Sequence, residues 1–187
     1  MTTMTVIPHG RPFTVDDLEG MPDDGNRYEL IDGMLHVSPC PVPRHQVVLG
    51  EIFVRLHAAC PPGLLPMMAP MDVQPDRANS LQPDVLVTRP SDFGPKNLPV
   101  APLLAVEVLS PSTRLYDLNT RRSAYEKMCV ASYWVVDPTG PGALTVLELD
   151  AEGRYQEVAY VEGDAEFAAT RPFAVTVVPA RLLATVP

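Results

Sequence analysis

A strand, a helix and a second strand follow one another within about 35 residues near the middle of the chain, and this order constrains the fold most. Residues 103–109 are apolar except for Glu107, residues 117–128 have helical spacing, and residues 133–137 again resemble a strand. Two strands joined by a crossover helix lie parallel in one sheet, and an apolar strand is typical of a sheet covered on both faces. We therefore predict an α/β core.

The flanking segments predict further elements. Residues 12–18 resemble a short helix capped by Thr14. Residues 28–37 resemble a β-hairpin, because Asp32-Gly33 readily takes the positive φ angles of a tight type I′ turn. Apolar residues recur at helical spacing over 42–59, whereas prolines interrupt 64–73 and allow at most an irregular or edge strand there. We also expect strands at 84–88 and 173–178, and a hairpin over 144–161.

Length and composition predict one soluble domain. The chain has 187 residues, 46% of them apolar, which suits a single domain over 1–187 with an N-terminal arm and short helix at 1–27. No stretch approaches the length of a membrane span, and the start lacks the pattern of a signal peptide, so we predict a cytoplasmic location without membrane contact. Cys40, Cys60 and Cys129 form no C-x-x-C pair, and we expect mostly buried thiols.

The distribution of charge limits where nucleic acid could bind. A net charge of −9 argues against an indiscriminate nucleic-acid binder, because phosphate contacts require Lys and Arg. Residues 1–32 hold seven acids and two bases, residues 137–166 hold eight acids and one base, and residues 33–136 hold eight acids and nine bases. Any nucleic acid should therefore approach the middle segment, where the nearest basic cluster is Arg114, Arg121, Arg122 and Lys127. These four could equally be solvated helix charges.

Two acidic residues in the middle segment carry the main chemical signal. Asp84 lies at the head of one predicted strand, and Glu107 lies inside another. Burying a lone carboxylate as an ion costs several kcal/mol unless a cation or hydrogen-bond donors meet it. Carboxylates from neighbouring strands can converge at one sheet edge, where they provide the oxygen ligands that Mg²⁺ or Mn²⁺ prefers. The spacing alone is a short pattern that chance also supplies.

Several longer motifs resemble one known family. They are, in order, Tyr28-Glu29-Leu30-Ile31-Asp32-Gly33, His45, Pro83-Asp84-Val85, Val106-Glu107-Val108-Leu109-Ser110-Pro111-Ser112-Thr113, Asp117, Tyr125 and Tyr133-Trp134-Val135-Val136-Asp137-Pro138. This order resembles the Uma2 family (DUF820), restriction-endonuclease-like proteins of the PD-(D/E)XK nuclease superfamily. The resemblance implies a mixed sheet flanked by helices, Mg²⁺ or Mn²⁺ held by Asp84 and Glu107, and phosphodiester hydrolysis, with DNA the preferred substrate. It also favours a homodimer, because nucleases of this class cut two strands with two sites.

The chain departs from this pattern at the lysine that usually follows the strand glutamate. The superfamily usually has Lys two residues after that Glu, where this chain has Leu109, and in the family the Lys moves to the next helix. The corresponding position, four after Asp117, is Arg121. Arg keeps its proton at physiological pH, so it cannot act as a base, although its planar fork can clamp a carboxylate or a phosphate. A family-like Gly before the Tyr-Trp strand is replaced by Cys129, which weakens the expected helix stop.

Helical spacing places Arg121 on the inward face. Leu118, Tyr125 and Met128 define the sheet-facing stripe, and Arg121 falls on it. An inward Arg needs an anionic partner, and Glu107 or Asp84 is the natural candidate, directly or through a bound phosphate. Arg121 could then stabilise developing phosphate charge in catalysis. Alternatively, its salt bridge could replace the metal and leave a folded but inactive site.

The remaining candidate residues have supporting roles. His45 matches a family position near the site, and Glu29 could add a site carboxylate, or else be a solvent-exposed hairpin residue. Arg114, Arg122 and Lys127 would contact the nucleic-acid backbone. Two hypotheses follow: a metal-dependent endonuclease, with Asp84, Glu107 and Arg121 as catalytic residues, or a catalytically inactive protein that kept the fold as a binding or regulatory module.

Overall fold

The computed structural model describes residues 10–110 and 116–184. Its strands are β1 (Arg27–Ile31), β2 (Met34–Ser38), β3 (Leu65–Met68), β4 (Val73–Asp76), β5 (Asn79–Leu81), β6 (Val85–Thr88), β7 (Leu104–Val108), β8 (Ser132–Asp137), β9 (Ala143–Leu149), β10 (Tyr155–Glu162), β11 (Phe167–Ala169) and β12 (Val175–Val177). Its α-helices are α1 (Val15–Leu18), α2 (Pro43–Ala59), α3 (Arg122–Lys127) and α4 (Pro179–Leu182). A 3₁₀ turn spans Pro90–Asp92, and a π-helix spans Tyr116–Arg121.

The central sheet has six strands in the order β10-β9-β8-β7-β6-β3. Its pair β7 and β8 is parallel, and its other pairs are antiparallel. The predicted α/β core and its parallel pair are therefore confirmed, and the proline-broken stretch 64–73 supplies the edge strand β3. A second sheet has the order β2-β1-β5-β4, and β11 pairs with β12. Strands β4, β5 and β11 were not predicted, because strands of three or four residues carry little periodic signal.

Apolar side chains cover both faces of the central sheet. On one face, α2 contributes Val48, Leu49, Ile52 and Leu56 to a core shared with alternate residues of β6, β7 and β8. On the other face, Tyr125 of α3 packs with residues of β7 and β8 and with β1. All residues of β7 are buried as a result. Glu107 is thus a charged residue in a strand that has no solvent-facing side.

Local sequence signals set most element boundaries. Asp32 and Gly33 have φ angles of 51° and 74°, as the predicted type I′ turn between β1 and β2 requires. Thr14 caps α1, and its N–H donates to the side chain of Asp17. The predicted helix at 42–59 is α2, whereas 117–128 divides into the π-helix and α3. None of the helices within the described residues has the length and apolar character needed to cross a membrane.

The cysteine prediction is wrong about burial. All three thiols are free, but Cys40 and Cys129 are exposed and Cys60 is only half-buried. The reason is position: Cys40 follows the end of β2, and Cys129 follows the end of α3, so neither lies on an inward face of a helix or strand.

Cys129 ends α3 in a conformation that normally favours glycine. Its φ angle is 60°, its N–H donates to the carbonyl of Glu126, and the N–H of Val130 donates to the carbonyl of Tyr125. These bonds form a Schellman motif, in which the left-handed residue is usually Gly. The helix stop therefore forms without glycine, at the cost of a strained backbone at Cys129.

Cys129→Gly is expected to stabilise the protein by about 1 kcal/mol, because a left-handed conformation costs a residue with a Cβ roughly 1–2 kcal/mol and glycine almost nothing. The measurement is urea unfolding of the variant beside the wild type. Cys129→Ala is the matched control, since it removes the thiol and retains the Cβ. Equal stability of the glycine and alanine variants would contradict the strain argument.

Candidate active site

The pairing of β6 with β7 brings the two predicted acids together. Val85 pairs with Val106 in antiparallel register, so the next residues outward, Asp84 and Glu107, lie opposite each other. The N–H of Val108 donates to Oδ2 of Asp84 at 2.9 Å. Both acids are only 2% exposed. One end of the β6–β7 pair therefore carries two buried carboxyl groups on adjacent backbones.

Asp84 is held as a carboxylate by cationic and polar groups. His45 Nε2, on α2, lies 2.9 Å from its Oδ2, and the Arg27 guanidinium lies 3.2 Å from its Oδ1. Burial by itself raises the pKa of Asp84, but the His45 hydrogen bond and the nearby cationic charges outweigh it and lower the pKa to about 2. Since an ionised carboxylate only accepts hydrogen bonds, His45 donates its Nε2–H to Asp84.

Glu107 has a separate set of partners, which come from the π-helix and from α3. The hydroxyl of Tyr125 donates to its Oε1 at 2.7 Å, and a terminal nitrogen of Arg121 bonds the same oxygen. Burial, followed by the charge of Glu107, raises the pKa of Tyr125 well above its ordinary value. Tyr125 therefore remains a neutral phenol that can donate to Glu107 at any physiological pH.

Arg121 bridges two carboxylates. Its second terminal nitrogen bonds Glu29 Oε2, and Oε1 of Glu29 accepts the backbone N–H of Gln82 at 2.7 Å. Arg121 is 2% exposed and Glu29 is fully buried. The interpretation of Glu29 as a solvent-exposed hairpin residue is wrong, because β1 is an inner strand between β2 and β5. Arg121 points inward, as its helical spacing predicts.

The backbone carbonyl of Gln82 joins the two halves of the site. It accepts a hydrogen bond from Arg27 at 3.0 Å and one from Arg121 at 3.4 Å. Neither Gln82 nor Arg27 was predicted as a site residue. A signal for Arg27 did exist: it lies two residues before Glu29 on β1, and alternate residues of a strand share one face.

The predicted nucleic-acid contacts do not gather around these acids. Lys127 is 64% exposed and bonds Asp32 at 2.7 Å, and Arg122 is exposed one residue beyond the inward-facing Arg121. Arg114 lies outside the described residues. The proposed backbone contacts of Arg122 and Lys127 would therefore involve a solvent-facing surface of α3 rather than the buried cluster.

The carboxylate oxygens of the buried cluster could coordinate a hard cation, although these acids already form ion pairs with arginines. The carboxylates of Glu29, Asp84 and Glu107 face the guanidinium groups of Arg27 and Arg121, which leaves one negative charge in excess when His45 is neutral. Carboxylate oxygens are the donors that Mg²⁺ and Mn²⁺ prefer. Within the described residues, no group of three or more His, Cys, Asp or Glu side chains is arranged to hold a metal. A cation at Asp84 and Glu107 would have to replace charge now supplied by arginine.

Comparison with known proteins identifies the class and then the family. The fold matches a solved structure described as "a putative nuclease belonging to DUF820" from Anabaena variabilis ATCC 29413, with a TM-score of 0.67 and 18% identity over 84% of this chain and 89% of that chain. At this identity, the likeness shows a shared mixed α/β fold. Residues 15–181 match the Uma2 family, described as "Putative restriction endonuclease", and the chain belongs to this family. No curated protein matches the chain.

Proposed function

We propose that this protein is a metal-dependent endonuclease that hydrolyses phosphodiester bonds of nucleic acid, with DNA as the preferred substrate. The observation that carries the proposal is the placement of Asp84 and Glu107 opposite each other at the end of β6 and β7, both buried. The family description points to the same reaction class. Mg²⁺ or Mn²⁺ would be held by Asp84 and Glu107.

Each side chain has a distinct task in this proposal. When bound, the ion supplies Lewis acidity toward a phosphoryl oxygen and lowers the pKa of a water molecule. His45 and the Val108 N–H fix the orientation of Asp84, and Tyr125 fixes that of Glu107. Arg121 cannot accept a proton. It would serve by exchanging one carboxylate partner for a phosphate oxygen as negative charge develops there.

A second candidate is an inactive binding or regulatory protein with the same fold. The observation that favours it is the pairing of Arg121 with both Glu107 and Glu29, because this guanidinium already neutralises a residue that the ion would need. In this alternative, Arg121 permanently takes the place of the metal, and the site has a structural role.

Titration calorimetry with Mn²⁺ tests the metal site directly. We expect saturable binding to the wild type and none to Asp84→Ala, provided that circular dichroism shows an unaltered fold. Asp164→Ala is the matched control, because Asp164 is an exposed acid elsewhere in the chain and should leave Mn²⁺ binding unchanged. A wild type that binds no Mn²⁺, or an Asp84→Ala variant that binds it equally well, would refute the proposed metal site.

A further inference from the structure

We infer that Arg27 is the residue that receives a substrate phosphate at this site. The inference rests on the proposed function and adds a residue that neither the sequence motifs nor the family match assigned. Its basis is a combination of contacts: Arg27 bonds a candidate metal ligand and also lines the open cleft beside it. A phosphate bound there would lie next to Asp84.

The burial of the two site arginines separates their roles. The side chain of Arg121 is 2% exposed, and both of its terminal nitrogens bond carboxylates. The side chain of Arg27 is 19% exposed, and its hydrogen bonds are single contacts of 3.2 Å to Asp84 and 3.0 Å to the Gln82 carbonyl. Arg27 can therefore present part of its guanidinium fork to a ligand while it retains its contact with Asp84.

The cleft has a volume of about 880 Å³ and lies between the N-terminal segment around α1 and the loops beside β1 and β6. Arg27 and Lys96 are the cations that line it among residues 10–110 and 116–184. Lys96 is almost fully exposed at 87%, which makes it a weak, solvated contact. Of these two cations, Arg27 is the one that bonds Asp84, and a planar guanidinium matches two phosphate oxygens at once.

Four acids, Asp16, Glu19, Asp23 and Asp72, line the cleft beside its two cations. Asp16 is paired with Arg77, and Glu19 lies 3.8 Å from Lys96. Asp72 accepts an N–H from a side-chain amide at 2.8 Å. These contacts engage three of the four acids, and Arg27 supplies the cationic contact beside Asp84 that a phosphate would meet.

The salt dependence of DNA binding tests this role. The probe is a fluorescein-labelled DNA duplex, titrated by anisotropy at several salt concentrations against Glu107→Gln, a background in which cleavage should be suppressed. Adding Arg27→Gln should weaken binding about tenfold and reduce the slope of log K against log salt by about 0.9, the value for one lost phosphate contact. Adding Arg27→Lys should retain the slope, because the charge remains, and lower affinity only a few-fold.

Arg171→Gln is the matched control, since Arg171 is an exposed arginine outside the cleft. It should change neither the affinity nor the slope. If Arg27 only positions Asp84, its variants will change Mn²⁺ affinity but leave the salt slope intact, and the inference is overturned. If Arg27→Gln is poorly folded, folded Arg27→Lys decides the question: a few-fold loss of affinity at an unchanged slope would support the inference, and an unchanged affinity would overturn it. A wild type that neither binds nor cleaves DNA would defeat the proposed function itself.

Discussion

Arg121→Ala is expected to lower the free energy of unfolding by about 3–5 kcal/mol, because removing one partner of a buried ion pair leaves uncompensated buried charge. The variant would leave Glu29 and Glu107 without their shared guanidinium in the interior. For a protein of this size, each kcal/mol shifts the melting temperature by roughly 2–4 °C, so the midpoint should fall by roughly 6–20 °C. Differential scanning calorimetry and urea unfolding at neutral pH measure this loss.

Two further variants test the cause of the loss. Arg122→Ala changes the neighbouring, exposed arginine and should stay within about 0.5 kcal/mol of the wild type. Adding Glu29→Gln and Glu107→Gln to Arg121→Ala removes the stranded charges, and it should recover most of the lost stability. An Arg121→Ala variant as stable as Arg122→Ala would show that the bridge carries little energy. Failure of the added glutamines to recover stability would assign the loss to packing instead of charge.

The parts of the site that could be predicted are those encoded by local pattern. Glu107 stood out because it interrupts an apolar strand, and Arg121 because it shares a helical stripe with Tyr125. Both signals depend only on residues a few positions apart, where the geometry of a strand or helix fixes which side chains share a face. The adjacency of Asp84 and Glu107 also followed from two neighbouring strands, and the register of β6 with β7 places them opposite each other.

The contacts that were not predicted join distant segments of the chain. Arg27 meets Asp84 across 57 positions in the chain, and Arg121 meets Glu29 across 92. These contacts depend on how the β2-β1-β5-β4 sheet lies beside the central sheet. The spacing of apolar residues predicts single helices and strands, and it does not predict how two sheets pack together. The linking strands β4 and β5 are too short to recognise. The helix end at Cys129 is a different case, because the helix stop was expected to be weak without glycine. Backbone hydrogen bonds nevertheless form the Schellman motif there.

Glu107→Gln is expected to reduce cleavage of supercoiled plasmid DNA in Mn²⁺ by about 10³-fold. A bound ion contributes several kcal/mol of transition-state stabilisation, and about 4 kcal/mol corresponds to that factor. Glutamine retains the shape of the side chain and an oxygen that can accept from Tyr125, so the fold should survive. Initial rates of nicking and linearisation give the measurement, with Asp164→Ala as a control that should cleave at the wild-type rate.

Arg121→Lys separates the endonuclease from the inactive module. A lysine has a compact ammonium and lacks the planar fork that lets Arg121 bridge Glu107 and Glu29, so Glu107 should become more available to a cation. If the wild type is an enzyme, the wild type and Arg121→Lys both cleave DNA, and adding Glu107→Gln abolishes cleavage in both. Cleavage that appears only in Arg121→Lys would mean that the natural guanidinium blocks a scaffold still capable of the reaction. Cleavage that persists in Glu107→Gln would exclude this carboxylate from the chemistry, whatever its burial.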